Sequence, residues 1–228
     1  MREIIFDTET TGLDPKTGDR MVEIGCIEMV NRVLTGESFH AYYNPERDMP
    51  AEAEKVHGLS ASFLSDKPLF KDGAQDLLAF LGDAPLVAHN AQFDFGFLNY
   101  ELETLGLEPV SHDRMVDTLA IARRRHPGAK HSLDALCSRY GVDRSHRVLH
   151  GALLDAELLA QVYVELMGGR QIGLQLAADN TQEERVETAV FAPKTGEYRA
   201  PRPHAANKEE LARHAAFLES LDSPLWTS

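Results

Sequence analysis

An apolar run at the start of the chain, Arg2–Phe6, leads straight into two carboxylates spaced two residues apart, Asp7 and Glu9. Alternate side chains of a strand share a face. Two acids on one face beside an apolar strand repel each other and lose hydration unless cations lie between them. The chain must therefore fold so that the end of its first strand meets solvent or a cation site. Taken alone, the D-x-E pair fits a strand end that simply meets water.

The segments that follow alternate strand and helix signals. Val22–Val33 and Glu37–Tyr43 carry the β-branched and alternating patterns of strands, with turns expected at Gly12–Gly18 and Thr35-Gly36. With Arg2–Phe6 they predict three antiparallel strands. Helical spacing marks Phe70–Leu81 and Phe93–Leu105, and Pro85–His89 and Met115–Asp117 are short strand candidates, the latter followed by a helix. Ser132–Tyr140 has an N-cap serine and Gly141 at its end. Gly151–Met167 shows an apolar face of Leu154, Leu158, Val162 and Leu166, stopped by Gly168-Gly169. The sum is an α/β domain with a central mixed sheet flanked by helices.

After Gly169 the character changes. Residues 170–206 have few large apolar side chains and three prolines (193, 201, 203), which predicts a flexible linker. Asn207–Leu221 predicts one amphipathic helix, with Asn207 and Glu210 as a capping box and Leu211, Ala215, Leu218 and Leu221 as its stripe. The sole tryptophan, Trp226, follows. One helix makes no core of its own, so it needs a docking surface. The expected organisation is thus a domain over 1–169, a linker over 170–206 and a binding segment over 207–228.

Two further acids sit at helix starts. In His89-Asn-Ala-Gln-Phe-Asp94 the aspartate falls in the first helical turn after a buried strand, and Asp155 of His150-Gly-Ala-Leu-Leu-Asp155 does the same. A helix N-terminus favours an anion by roughly 0.3–1 kcal/mol, so each alone fits plain dipole complementarity. His150 lies five residues before Asp155, about 500° on a continuous helix, and so belongs to the loop before it.

Together these pieces, D-x-E, N-x-x-x-D and H-x-x-x-x-D in that order, resemble the DEDDh family of 3′–5′ exonucleases. The resemblance implies an RNase H-like exonuclease fold in which Asp7, Glu9, Asp94 and Asp155 hold two divalent metal ions, Mg²⁺ or Mn²⁺, and His150 is the general base. Such a donor set suits hard cations, and paired cations suit in-line displacement at phosphorus. Histidine suits proton transfer near neutral pH.

Further stretches, Asp7-Thr-Glu-Thr-Thr-Gly12, Val22-Glu-Ile-Gly25, Val56-His-Gly58, Ser132-Leu-Asp-Ala-Leu-Cys137 and Leu149-His-Gly-Ala-Leu-Leu-Asp155, are similar to the proofreading (epsilon) subunits of bacterial DNA polymerase III. That resemblance implies substrate contacts at Asp7, Glu9, Thr10, Leu13, His57, Asn90 and Asp155. It implies a sliding-clamp motif at Gln171-Ile-Gly-Leu-Gln-Leu176, with Gln171, Leu174 and Leu176 as anchors. It also implies docking of Leu211, Leu218 and Trp226 on the polymerase (alpha) subunit. The expected substrate is a single-stranded or frayed DNA 3′ end. RNA trimming by the same five residues, or a non-catalytic adaptor, are the alternatives.

Charge bears on that choice. Lys plus Arg number 23 against 36 Asp plus Glu, a net −13, whereas broad phosphate neutralisation wants a basic protein. A tethered subunit escapes this constraint, because its partners deliver the 3′ end at high effective concentration. The densest basic cluster, Arg123-Arg-Arg125 near Lys130, reads first as a solvated helix end. No apolar run is long enough to span a bilayer. The Met1-Arg-Glu-Ile-Ile-Phe start lacks a signal-peptide pattern, and two cysteines suit a reducing compartment, so a cytoplasmic protein is expected.

Overall fold

The computed structural model describes residues 1–145, 147, 149–169 and 206–220. The chain divides into two units, 1–177 and 178–228.

In the first unit a five-stranded mixed sheet is built from β1 (Arg2–Thr10), β2 (Met21–Val30), β3 (Val33–Tyr42), β4 (Leu86–Ala88) and β5 (Met115–Asp117), in spatial order β3-β2-β1-β4-β5. The β1–β2 and β2–β3 pairs are antiparallel, and β1–β4 and β4–β5 are parallel. The helices are α1 (Ala51–His57), α2 (Ala61–Leu64), α3 (Phe70–Leu81), α4 (Ala91–Thr104), α5 (Thr118–Arg125), α6 (Leu133–Tyr140) and α7 (Ala152–Leu166).

Strand alternation sorts β1 between two cores. Ile4 and Phe6 pack with Leu77, Phe95 and Leu98 of α3 and α4, while Ile5 packs with Ala156, Leu159 and Tyr163 of α7. Asp7 and Glu9 continue the Ile5 face, and so look toward α7. The expected face of α7 is real but serves a different neighbour: Leu158, Val162 and Leu166 pack with Leu136 and Cys137 of α6 and Ala122 of α5. A helix clad on both sides shows apolar residues nearly all round, which masks the sheet-facing stripe in the sequence.

Three expectations shift. The first strand runs on through Thr10, so Asp7 and Glu9 lie within it and not past its end. The second hairpin turns at Asn31 and Arg32, both with positive φ (52° and 64°), and not at Thr35-Gly36. Val30 pairs with Val33 across that turn, the two-residue loop that the twist of antiparallel strands favours. The region between Tyr43 and Phe70 holds α1 and α2, which the sequence reading left unassigned. The caps behave as expected: Ser132 accepts from the Ala135 amide, and Gly141 closes α6 in the left-handed conformation.

In the second unit the structure describes one helix, α8 (Lys208–Glu219), with the expected Asn207–Glu210 capping box. Leu211 is exposed and Leu218 half-buried. Leu221, Trp226, and Gln171, Leu174 and Leu176 of the expected clamp motif lie outside the described residues. Among the described residues no helix is long and apolar enough to cross a membrane.

Candidate active site

Three elements deliver the acids. β1 carries Asp7 and Glu9. Asp94 stands in the first turn of α4 and Asp155 in the first turn of α7, both buried. Each is fixed by a local device. Asp94 Oδ1 accepts from the Thr8 amide (3.1 Å) and the Thr8 hydroxyl (2.8 Å), which ties α4 to β1 between the two strand acids. The entry to α4 passes through Asn90, held at φ 66° and ψ 48°. One carboxylate oxygen of Asp117 accepts from the Asn90, Ala91 and Leu119 amides, at 3.1, 3.4 and 2.9 Å, and so clamps that turn to the start of α5.

α7 packs on one face of the sheet, against β1 and β2. Gly25 of β2 is the register partner of Asp7. A Cβ on Gly25 would lie 2.2 Å from the Leu153 amide nitrogen and 2.4 Å from the Ala152 carbonyl carbon. The bare glycine therefore lets the first turn of α7, with Asp155, settle against the strand beside Asp7.

His150 lies in the loop before α7, as expected, with its amide donating to Val56 O at 3.2 Å. Its Nδ1 is 3.3 Å from Asp155 Oδ2. Glu9, His150 and Asp155 each offer a ligand atom within 4.8 Å of the others. Arg147 completes the cluster. Its Nε and Nη2 bind the two oxygens of Asp155, the second at 2.6 Å, while Nη1 reaches Asp134 Oδ1 at 2.9 Å and Nη2 donates to His150 Nδ1 at 2.7 Å.

The electrostatics are those of a crowded anionic site. Burial, then Asp94, Glu9 and Asp155, hold the Asp7 carboxyl well above the usual range. Burial and Glu23 raise Glu9 to about 8. Burial raises Asp94 to about 7 against the opposing pull of the Thr8 hydrogen bonds. A cluster that resists ionisation by itself, built of oxygen donors with one imidazole, fits hard divalent cations that would neutralise it.

A cavity of about 520 Å³ adjoins Glu9, lined among others by Thr10, Leu13, Glu52, Val56, His57 and Phe93. Leu13 is 84% exposed at its mouth. His57 is buried; its Nδ1 accepts from the Leu59 amide at 3.0 Å and its Nε2 has no partner. Thr10, Leu13 and His57 thus come together, whereas Asn90 stays at the α4 turn outside that cavity. Arg123–Arg125 form the last turn of α5, where Arg125 donates to Leu166 O at 2.5 Å. The sequence reading missed Thr8, Gly25, Glu52, Asp117 and Arg147.

Residues 4–163 match the Exonuclease family, RNase T. The chain is 51% identical over 224 residues to a DNA polymerase III subunit epsilon of Rickettsia felis, covering 97% of each. It is 41% identical over 225 residues to that of Escherichia coli K12, covering 96% of this chain and 92% of the relative. Among solved structures, exonuclease X in complex with 5′ overhanging duplex DNA superposes with a TM-score of 0.57 at 26% identity, over 72% of this chain and 90% of that one. The nuclease domain of 3′hExo, a DEDDh family member, bound to rAMP, gives a TM-score of 0.63 at 17% identity, over 73% and 91%, a likeness of fold. With this similarity along nearly its whole length, the chain belongs to the DNA polymerase III epsilon subunits of the exonuclease family.

Proposed function

We propose that this protein removes 3′-terminal nucleotides from DNA as the proofreading subunit of a replicative polymerase, and that Asp7, Glu9, Asp94 and Asp155 hold two divalent cations, Mg²⁺ or Mn²⁺. The observation that carries this is the meeting of Glu9 of β1, His150 and Asp155 of α7 within ligand distance, with Asp94 of α4 bonded to Thr8 of β1, beside a nucleotide-sized cavity that Glu9 helps to line.

When bound, such cations would polarise the scissile phosphate and stabilise the departing oxygen. The chain's own residues do the rest. The cavity takes the terminal nucleotide, with Leu13 against the base and His57 in the wall beside it. Thr10, whose hydroxyl already bonds Gly12 O at 2.6 Å, shapes the floor, and Asn90 steadies the strand from the α4 turn. His150 accepts a proton from water as its oxygen attacks phosphorus. The bond to the 3′ oxygen of the preceding nucleotide breaks, that oxygen is protonated, and a deoxynucleoside 5′-monophosphate leaves. A mispaired end frays at less cost than a paired one, so selectivity needs no reading of base identity.

The polymerase (alpha) subunit would dock on 207–228 through Leu211, Leu218 and Trp226, and the clamp on 171–176 through Gln171, Leu174 and Leu176. Leu211 and Leu218, seven residues apart and so on one face of α8, support an apolar docking face. Such tethering offsets the weak attraction of a −13 chain for DNA.

The test uses the full chain with Mg²⁺ or Mn²⁺, a 3′-mispaired DNA primer, its paired counterpart and an RNA oligonucleotide. Faster trimming of the mispaired DNA is expected. Trimming of RNA alone would overturn the DNA assignment, and equal loss from paired and mispaired primers by the intact polymerase complex would overturn proofreading.

A further inference from the structure

Arg147 is 8% exposed and occupies both oxygens of Asp155 while donating to His150 Nδ1. A guanidinium carries only donors. Its Nη2 lies within hydrogen-bond distance of both ring nitrogens of His150, 2.7 Å from Nδ1 and 3.3 Å from Nε2. In this arrangement the guanidinium lies against both imidazole nitrogens, where an attacking water would have to be held, and Asp155 has no oxygen left without an arginine partner. One side chain thus caps both groups that hydrolysis needs.

The same guanidinium has a second berth. Its Nη1 bonds Asp134, a half-exposed carboxylate at the start of α6 that Arg144 also holds at 2.8 Å. Arg144 is itself 45% exposed and can release Asp134 to water at little cost. Building on the metal-site reading above, we infer that Arg147 stands in for a divalent cation on Asp155, and that filling the site shifts its guanidinium fully onto Asp134, uncovering His150 as the site becomes loaded. The protein then avoids a buried, uncompensated aspartate when empty, and its base is exposed only when the cation is present.

The experiment is calorimetric titration of Mn²⁺ into the full 228-residue chain, its Arg147→Met variant and its Asp134→Asn variant, with a melting curve of each in EDTA. Arg147→Met keeps the stem and loses the competitor. It should melt lower in EDTA yet bind Mn²⁺ about 10-fold more tightly, the order expected for losing a rival set of charge-assisted hydrogen bonds. Asp134→Asn removes the berth and should bind Mn²⁺ more weakly than the unaltered chain. A purely structural Arg147 would weaken binding when removed, so equal or weaker affinity in Arg147→Met overturns the inference. Should that variant fail to fold, unchanged or tighter affinity in Asp134→Asn overturns it instead. Absence of Mn²⁺ binding by the unaltered chain would overturn the metal-site reading itself, and this inference with it.

Discussion

Adding one methyl group at Gly25 should disable the enzyme without unfolding it. A Cβ there would stand 2.2, 2.3 and 2.4 Å from three backbone atoms of Ala152 and Leu153. Carbon contacts settle at about 3.5–4.0 Å, so the start of α7 has to retreat from β2 by more than about 1 Å. Backbone, and not a flexible side-chain tip, is in the way, so the shift moves the whole first turn and Asp155 with it. Overpacking of this kind costs about 1–3 kcal/mol, which a well-packed α/β domain survives. Misplacement by about 1 Å in a catalytic constellation costs on the order of 10²-fold in rate. Gly25→Ala should therefore lower kcat for release of nucleotide from a mispaired primer by about two decades, with circular dichroism unchanged at the assay temperature. Gly96→Ala is the control, since its Cβ meets nothing within 4 Å and it sits inside α4; it should keep full activity. Gly25→Ala with kcat within about three-fold of the unaltered chain would refute the claim that the bare strand position sets the place of Asp155.

Other outcomes follow from the same geometry. Glu9, raised to about 8, and Asp94, raised to about 7, hold their protons more tightly folded than unfolded, so the metal-free protein should lose stability as pH rises from about 4.5 toward 8. Divalent cations should cancel this loss, raising Tm more at pH 8 than at pH 6 and releasing protons on binding; a metal-induced Tm shift independent of pH would contradict it. Asp117→Ala unlatches three amides at the α4 and α5 starts, and should cost about 0.5–2 kcal/mol in chemical denaturation as a lost cap and lower kcat by loosening Asp94. His150→Gln should reduce kcat by about 10²–10⁴-fold in single-turnover assays while leaving the melting temperature near that of the unaltered chain.

How much of this was legible beforehand depends on how local each signal is. The order of the acids, the caps at Ser132 and Gly141, the α3 span and the loop position of His150 all rest on spacing within a few residues, and all stand in the structure. The β2–β3 turn was misplaced because Asn31-Arg32 interrupts a continuous β-branched run without a glycine, while Thr35-Gly36 offers a more obvious turn inside what is in fact β3. α1 escaped because Ala51–His57 buries only His57 and so carries no apolar stripe. Gly25 and Arg147 act across the chain. Nothing in the order of residues says that position 25 will face 153, or that the arginine three places before His150 will turn inward and not to solvent.

The central claim is that acids from three separate elements form one hydrolytic centre. The most direct measurement is the rate of deoxynucleotide release from a mispaired primer, in Mg²⁺, by the full chain and by its Asp94→Asn variant, an isosteric change that keeps an oxygen for Thr8 and removes one charge. The account predicts a loss of several orders of magnitude in kcat at saturating primer, with the fold intact. Asp94→Asn turning over at the unaltered rate would contradict it, because α4 would then have no part in the chemistry.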